Sequence, residues 1–222
     1  MTKKVYRAKK PWPTKDVMEQ IYEKKLWGGE TFDFYFGNGS HDSVLIEPYI
    51  DAVSAFLTSF DCPLTVCDLG CGDFNVGKQL VKHTKRYEAV DIVEDLIEHN
   101  KVTFKHDNLT FHCFDISMDD WPDADCVLLR QVLQHLSNAE VQRIARKLVD
   151  YKYVLVTEHI PSGRFIPNKD IISGQGIRLK VRSGIDLLAP PFQIRAKETR
   201  QLLSIPLAES KGVVVTTLYV FG

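Results

Sequence analysis

Residues 66–77 read VCDLGCGDFNVG. The stretch begins as an apolar strand that ends at Asp68, turns at Gly70 and Gly72, and leads into an amphipathic helix. Glycine permits a tight turn and lets a ligand lie against bare backbone at the N-terminus of the following helix. This stretch therefore predicts a parallel sheet that binds a nucleotide-like ligand at the turn.

Acidic residues follow the next two strands as well. Asp91 ends the segment YEAVD and lies 19 residues after Gly72, about where a carboxylate accepts hydrogen bonds from ribose hydroxyls. Asp115 ends the segment LTFHCFD. With Asp68, these side chains place three acids at one edge of the sheet, where a diphosphate would be repelled and a cation favoured.

The glycine spacing also departs from that of a dinucleotide loop. Such a loop has its third glycine three residues after the second, but here that position is Asn75 and the next glycine is Gly77. The spacing argues against a nicotinamide dinucleotide, although a fold alone does not exclude one.

The sequence resembles the class I S-adenosylmethionine-dependent methyltransferases, which carry an acidic-x-Gly-x-Gly motif after the first strand. Here the motif is DLGCG at residues 68–72, and the resemblance covers roughly residues 62–160. It implies S-adenosylmethionine as cofactor, with Asp68 and the Gly70–Gly72 backbone at the methionine end. It also implies Asp91 at the ribose hydroxyls, and Asp115 with Ile116 at the adenine.

One position departs from the pattern, since many members of the family have a further glycine where this chain has Phe74. The candidate cofactor contacts are Asp68, Gly70, Cys71, Gly72, Asn75, Asp91, Ile92, Asp115, Ile116, Arg130 and Gln131.

Alternating strands and helices predict an α/β fold with a doubly wound parallel sheet. Strands are expected near 65–68, 87–92, 110–115, 126–131 and 152–158, and the residues SNAE at 137–140 predict a capping box before a helix. Further helices are expected near 14–26 and 48–60, with Pro48 in the first turn of the second. Residues 200–207 and 212–221 predict a hairpin, which the resemblance makes the antiparallel end of a seven-stranded Rossmann-like methyltransferase sheet.

The chain is expected to form a single domain over residues 1–222. It would comprise N-terminal helices and a lid (1–60), a cofactor-binding core (61–160), a substrate-side excursion (161–199) and the terminal hairpin (200–222).

Composition favours a small-molecule substrate. The 28 basic and 29 acidic residues almost cancel and form no dense basic stripe, so nucleic acid is not expected as the main partner. No apolar run approaches the roughly 20 residues of a membrane span, and the N-terminus does not resemble a signal peptide. The five cysteines lack metal-ligand spacing, so we expect no metal, reduced thiols and a cytoplasmic location. Oligomeric state is left open.

Methyl transfer from a sulfonium is an in-line displacement, so the protein mainly has to align the acceptor. A hydroxyl acceptor must also lose a proton, which a histidine or carboxylate could accept. His135 follows the fourth strand, and Glu158 with His159 ends the fifth. Each is a candidate catalytic residue, and each could instead pack or cap at its strand end.

Residues 27–42 mix glycines with aromatics and predict a lid that becomes ordered on ligand binding. Its candidate contacts are Tyr35, Ser40 and His41, although a core or turn role is open for each.

The leading function is methylation of a small molecule, with oxygen as acceptor on a sugar, a nucleotide-linked compound or a secondary metabolite. The alternative is a cofactor-binding pseudoenzyme, or a regulatory or assembly protein, with the same fold.

Overall fold

The computed structural model describes residues 11–28, 38–207 and 212–222. The helices are α1 (Thr14–Glu23), α2 (Ser43–Leu57), α3 (Gly77–Leu80), α4 (Glu94–Thr103) and α5 (Asn138–Leu148). The strands are β1 (Thr65–Leu69), β2 (Arg86–Asp91), β3 (Leu109–Cys113), β4 (Cys126–Arg130), β5 (Tyr153–Ile160), β6 (Glu198–Pro206) and β7 (Val213–Val220).

The seven strands form one sheet in the order β3-β2-β1-β4-β5-β7-β6. Strands β1 to β5 pair in parallel, while β7 lies antiparallel between β5 and β6. The predicted doubly wound sheet with an antiparallel C-terminal hairpin is therefore confirmed. From the central strands β1 and β4, the chain adds β2 and β3 on one side of the sheet and β5 on the other. The crevice for a ligand opens at this change of side, where β1 and β4 end.

Both faces of the sheet are covered, which explains the nearly continuous apolar strands. Cys67 and Leu69 of β1 face one apolar cluster, which includes α1 and α5. Val66 of the same strand faces the other, which includes α2 and Phe74. The outward faces of α1 and α5 remain polar.

Helix α2 begins earlier than the sequence predicted. Its N-cap is Asp42, whose carboxylate accepts from the Val44 amide at 3.0 Å. Pro48 therefore lies inside the helix rather than in its first turn. Because proline has no amide hydrogen, the Val44 carbonyl loses its usual partner, a loss tolerated at an exposed position. Asp42, and not Pro48, therefore marks the start of this helix.

The capping box of α5 is confirmed, with Ser137 and Glu140 bonded reciprocally. The Glu140 carboxylate also accepts from the hydroxyls of Thr14 and Ser173. One carboxylate thus joins α1 and the 161–197 segment to the start of α5.

Residues 161–197 contain a single 3-10 turn, Arg178–Val181, and no regular strand or α-helix. This agrees with the predicted irregular excursion. None of the described helices has both the length and the apolar character that a membrane crossing requires.

Candidate active site

The glycine turn after β1 has the backbone that the sequence predicted. Gly70 and Gly72 have φ of +83° and +57°, in the left-handed region that favours glycine. The amides of Gly70 and Cys71 both donate to the Val90 carbonyl of β2, at 2.8 and 2.9 Å. These two bonds fix the turn against the neighbouring strand.

Replacing Gly70 with alanine is expected to lower the free energy of unfolding by about 2–5 kcal/mol and to weaken cofactor binding. The methyl group would lie 2.4 Å from Cγ2 of Val132, and the left-handed backbone adds its own cost. Thermal unfolding measures the loss. Gly163→Ala is the matched control, because Gly163 has a φ of +74° with no atom within 4 Å of the new methyl group. A loss no larger than this control's, or no recovery in Gly70→Ala/Val132→Ala, would contradict the assigned contact.

Phe74 occupies the position where many family members have glycine, yet it keeps a glycine-like backbone with φ of 60°. Its ring is fully buried and packs edge-on against the rings of Tyr87, Phe104 and Phe111, at centroid distances of 5.7, 5.2 and 4.9 Å. Burial of an aromatic ring therefore offsets the backbone strain, and the turn keeps its shape.

Asp91 at the end of β2 is held by three backbone amides. Its Oδ1 accepts from Ile92 and Val93, at 2.8 and 3.1 Å, and its Oδ2 accepts from Gly72 at 3.1 Å. Burial raises the pKa of Asp91, and the three amides oppose that rise. Because a carboxylate oxygen can accept two hydrogen bonds, Oδ2 keeps one acceptor position for a ligand hydroxyl.

For the cofactor that the resemblance implies, we expect the Asp91→Asn variant to bind the demethylated product, S-adenosylhomocysteine, about 10–100-fold more weakly. One acceptor oxygen becomes an amide donor, which opposes either a ligand hydroxyl or the Gly72 amide, and a hydrogen bond to a charged group is worth about 1.5–3 kcal/mol. Calorimetry measures the affinity. Asp95→Asn, on the exposed face of α4, is the control. Equal affinities for both variants and the unchanged protein would remove Asp91 from the site.

Asp115 lies two residues beyond the end of β3, in a turn rather than in the predicted strand. Its Oδ1 accepts from the Ser117 amide at 2.7 Å. The Ile116 carbonyl accepts from Trp121 and Lys147, each at 2.9 Å. These bonds fix the backbone of the turn and leave the Ile116 side chain facing the crevice.

A cavity of about 590 Å³, including its mouth, lies over the glycine turn, and we call it the main cavity. Helix α1 and Trp27 close one side, and the strand ends close the other. Its lining residues are Thr14, Met18, Tyr22, Trp27, Gly70, Asp91, Ile92, Asp115, Ile116, Gln131, Val132, His135 and Leu136.

A second, smaller cavity shares Gly70 with the main cavity and contains Asp68 and Arg130. The Asp68 carboxylate accepts from the Tyr87 hydroxyl at 2.8 Å. Burial raises the pKa of Asp68 to about 6, while the Tyr87 bond and Arg130 oppose that rise. The site therefore pairs a carboxylate with a guanidinium.

Arg130 binds the backbone just before α2. Its guanidinium donates to the Gly39 carbonyl and, at 3.4 Å, to the Ser40 hydroxyl, and it lies 5.0 Å from the centre of the Tyr49 ring. Its Nε is buried and has no hydrogen-bond partner within the described part of the chain. Cys71 lines the same small cavity.

Gln131 is the first residue after β4 and has a left-handed backbone, with φ of 57°. Its amide donates to the Thr157 carbonyl of β5 at 2.6 Å. Its side chain lies against Gly39, where an added Cβ would come within 2.2 Å of Oε1. Gln131 thus links the main cavity to the 38–40 turn.

His135 is in the wall of the main cavity, and its hydrogen bonds define its tautomer. Nδ1 lies 3.1 Å from the Gly174 carbonyl, and because a carbonyl only accepts, Nδ1 carries the proton. Nε2 therefore carries no proton and accepts from the Gln134 side-chain amide at 3.4 Å. The Trp27 ring lies 5.3 Å away. Burial lowers the pKa of His135 to about 4, so the ring is neutral at pH 7.

The other two catalytic candidates lie elsewhere. Both oxygens of Glu158 accept backbone amides, from Leu133 and Gln134, each at 2.9 Å. Burial raises the pKa of Glu158 to about 8, opposed first by the Leu133 amide. His159 follows Glu158, its amide donates to the Gln134 side chain at 3.2 Å, and it does not line the main cavity. Neither Glu158 nor His159 lines the main cavity.

The lid candidates are only partly described. Tyr35 lies outside the described residues. Ser40 lines the small cavity, and its carbonyl accepts from the Asn75 side chain at 2.7 Å. His41 pairs with Asp73 and lines a shallow surface depression beside α2 with Asn75. His41 and Asn75 therefore brace the turn from outside rather than lining either cavity.

Sequence reasoning did not single out Arg178, which is fully buried, or Trp27 as a cavity residue. An arginine inside an irregular segment has no pattern that marks it as buried. All five cysteines are free thiols. In residues 11–28, 38–207 and 212–222, no group of three or more His, Cys, Asp or Glu side chains is arranged to hold a metal.

Residues 66–151 match a family model described as a methyltransferase domain. Over these residues the chain is similar to methyltransferase domains. The matched segment runs from β1 to α5 and contains the glycine turn, Asp91, Asp115 and His135.

Solved structures similar to the chain extend the comparison beyond this segment. N-methyltransferase NodS from Bradyrhizobium japonicum WM9, with S-adenosyl-L-homocysteine, has a TM-score of 0.66 and 13% identity, over 92% of this chain and 99% of its own. Human N-acetylserotonin methyltransferase with S-adenosylmethionine has a TM-score of 0.59 and 15% identity, over 95% of this chain and 60% of its own. Magnesium protoporphyrin IX methyltransferase from Synechocystis PCC 6803 has a TM-score of 0.59 and 14% identity, over 95% of this chain and 100% of its own. At these identities the likeness concerns the fold. No curated protein sequence matches the chain.

Proposed function

We propose that the protein transfers a methyl group from S-adenosylmethionine to a hydroxyl oxygen of a small molecule. The observation that carries the proposal is the main cavity, where the glycine turn and Asp91 meet a neutral His135 whose Nε2 carries no proton. A sugar, a nucleotide-linked compound or a secondary metabolite remains the proposed class of acceptor.

The main cavity fits the adenosine part of the cofactor. Met18, Ile92 and Ile116 give it apolar walls for a flat base. Asp91 offers an acceptor position to ribose, beside the bare backbone of Gly70. This combination of an apolar slot and a carboxylate suits a nucleoside without a diphosphate.

The smaller cavity fits the methionine end. A methionine group carries an ammonium and a carboxylate, and Asp68 and Arg130 supply one complementary charge each. The unpartnered Nε of Arg130 is a donor that an anion could take. Because the two cavities share Gly70, one ligand can extend through both.

When bound, S-adenosylmethionine supplies a methyl group on a positively charged sulfur. The protein has to orient the acceptor and exclude water. Trp27 and Tyr22 cover the cavity beside His135. Nε2 of His135 would take the proton of the acceptor hydroxyl, in place of its long hydrogen bond from Gln134, as the methyl–sulfur bond breaks and the C–O bond forms. Nδ1 stays bonded to Gly174, which holds the ring in one orientation.

Two of the similar structures are named for small-molecule acceptors, N-acetylserotonin and magnesium protoporphyrin IX. We extend this size class, and not those substrates, to the present protein. A cytoplasmic location remains part of the proposal.

A turnover assay with methyl-labelled S-adenosylmethionine and a panel of small hydroxyl, amine and thiol compounds tests the proposal. We expect label on an oxygen of at least one hydroxyl compound. Label on nitrogen or sulfur alone would overturn oxygen as the acceptor. Tight cofactor binding without label in any compound would favour a pseudoenzyme.

A further inference from the structure

The turn Leu133–His135, with Leu136 after it, carries one wall of the main cavity, and its backbone is bonded from two sides. On one side, Glu158 at the end of β5 accepts the amides of Leu133 and Gln134, each at 2.9 Å. On the other, Arg178 donates to the carbonyls of Leu133 and Leu136, at 2.7 and 2.6 Å.

We propose that Glu158 and Arg178 are positioning residues that clamp this turn from both sides and so hold the His135 ring and Leu136 in the cavity wall. Both side chains are almost completely buried, at 4% and 1% exposure. A buried polar group is costly unless it is hydrogen-bonded, and these two side chains make most of their hydrogen bonds to the turn. Those bonds orient the peptide groups of residues 133–136.

The clamp joins the excursion to the site. Arg178 also donates to the Asn138 side chain at 2.9 Å, and a few residues earlier the Gly174 amide donates to the His135 carbonyl at 2.9 Å. Gly174 in turn accepts from Nδ1 of His135. Residues 174–178 therefore hold the turn at several points, so the excursion orients the cavity wall as well as covering a substrate.

The Arg178→Lys variant tests the clamp. Lysine keeps the charge, but its single ammonium cannot reproduce the fork that reaches two carbonyls. We expect the Kd for S-adenosylhomocysteine to rise about tenfold in calorimetry. In the same variant, NMR titration of the His135 ring should shift from a pKa of about 4 toward the ordinary value near 6.5 as the ring loses its fixed surroundings. Arg182→Gln, which removes an exposed cation from the same segment, is the control and should change neither quantity.

Glu158→Gln gives a second, isosteric variant from the other side of the clamp. An amide nitrogen would face a backbone N–H, so one of the two bonds is lost, and the same two shifts are expected at smaller size. The inference is overturned if both variants fold and keep the affinity and the His135 titration of the unchanged protein. The expected change in affinity rests on the proposed function, whereas the expected change in the His135 titration does not. If the unchanged protein fails to bind S-adenosylhomocysteine, the proposed cofactor site is wrong, and the His135 titration alone tests the clamp.

Discussion

Turnover with a hydroxyl acceptor is expected to fall by about 10²–10⁴-fold when His135 is replaced with glutamine, while cofactor affinity stays nearly unchanged. Glutamine can fill the wall beside Trp27 but cannot take a proton, and general-base catalysis typically contributes a factor of this size. His106→Gln, at an exposed position, is the matched control.

The pH profile adds an independent test of the same residue. Burial lowers the pKa of His135 to about 4, so the ring is a competent acceptor from about pH 5 upward and loses this capacity as the pH falls through 4. An ordinary histidine pKa, as the sequence alone would suggest, would place this fall in rate near pH 6.5. The pKa of His135 is lower in the folded protein than in the unfolded chain. Protonation therefore favours the unfolded chain, and the free energy of unfolding falls as the pH falls. Near-normal turnover in His135→Gln would leave alignment as the only role of this wall.

Replacing Phe74 with alanine is expected to lower the free energy of unfolding by about 3–5 kcal/mol. The ring is fully buried against three aromatic neighbours, and removing such a ring leaves a cavity. Denaturant unfolding measures the loss. Phe114→Ala, where the ring is only half-buried, should cost less.

The backbone at Phe74 makes a sharper comparison possible. At ordinary positions glycine is about 0.5–1 kcal/mol less stable than alanine, but a φ of 60° favours glycine. Phe74→Gly should therefore be at least as stable as Phe74→Ala. If Phe74→Ala is instead more stable than Phe74→Gly, the backbone at residue 74 is not left-handed.

The elements that could be predicted from the sequence are those with a strong local signal. The apolar strands, the glycine turn and the capping box at Ser137 each follow from residue type and spacing. Asp91 and Asp115 could be placed at one edge because parallel strands bring their carboxyl ends together. The start of α2 was misplaced because Pro48 was taken as a start signal when Asp42 is the cap.

What could not be predicted depends on contacts between distant segments. Glu158 ends a strand predicted from the sequence and so was a catalytic candidate, yet its two oxygens accept the amides of residues 25 and 24 positions earlier. Arg178 lies in a segment without periodicity, and only the folded chain brings it to the turn at Leu133. The resemblance already implied a methionine end at Asp68 and a ribose at Asp91, but the position of Arg130 in the same small cavity as Asp68 depends on the fold.

Calorimetric titration of the unchanged protein with S-adenosylhomocysteine and with NAD tests the central claim most directly. The acidic strand ends, with Asp68 and Arg130 in one small cavity, predict saturable one-to-one binding of S-adenosylhomocysteine. This binding should be at least tenfold tighter than that of NAD, whose diphosphate would face Asp68 and Asp91. Binding of NAD with equal or higher affinity, or no binding of S-adenosylhomocysteine, would contradict the account.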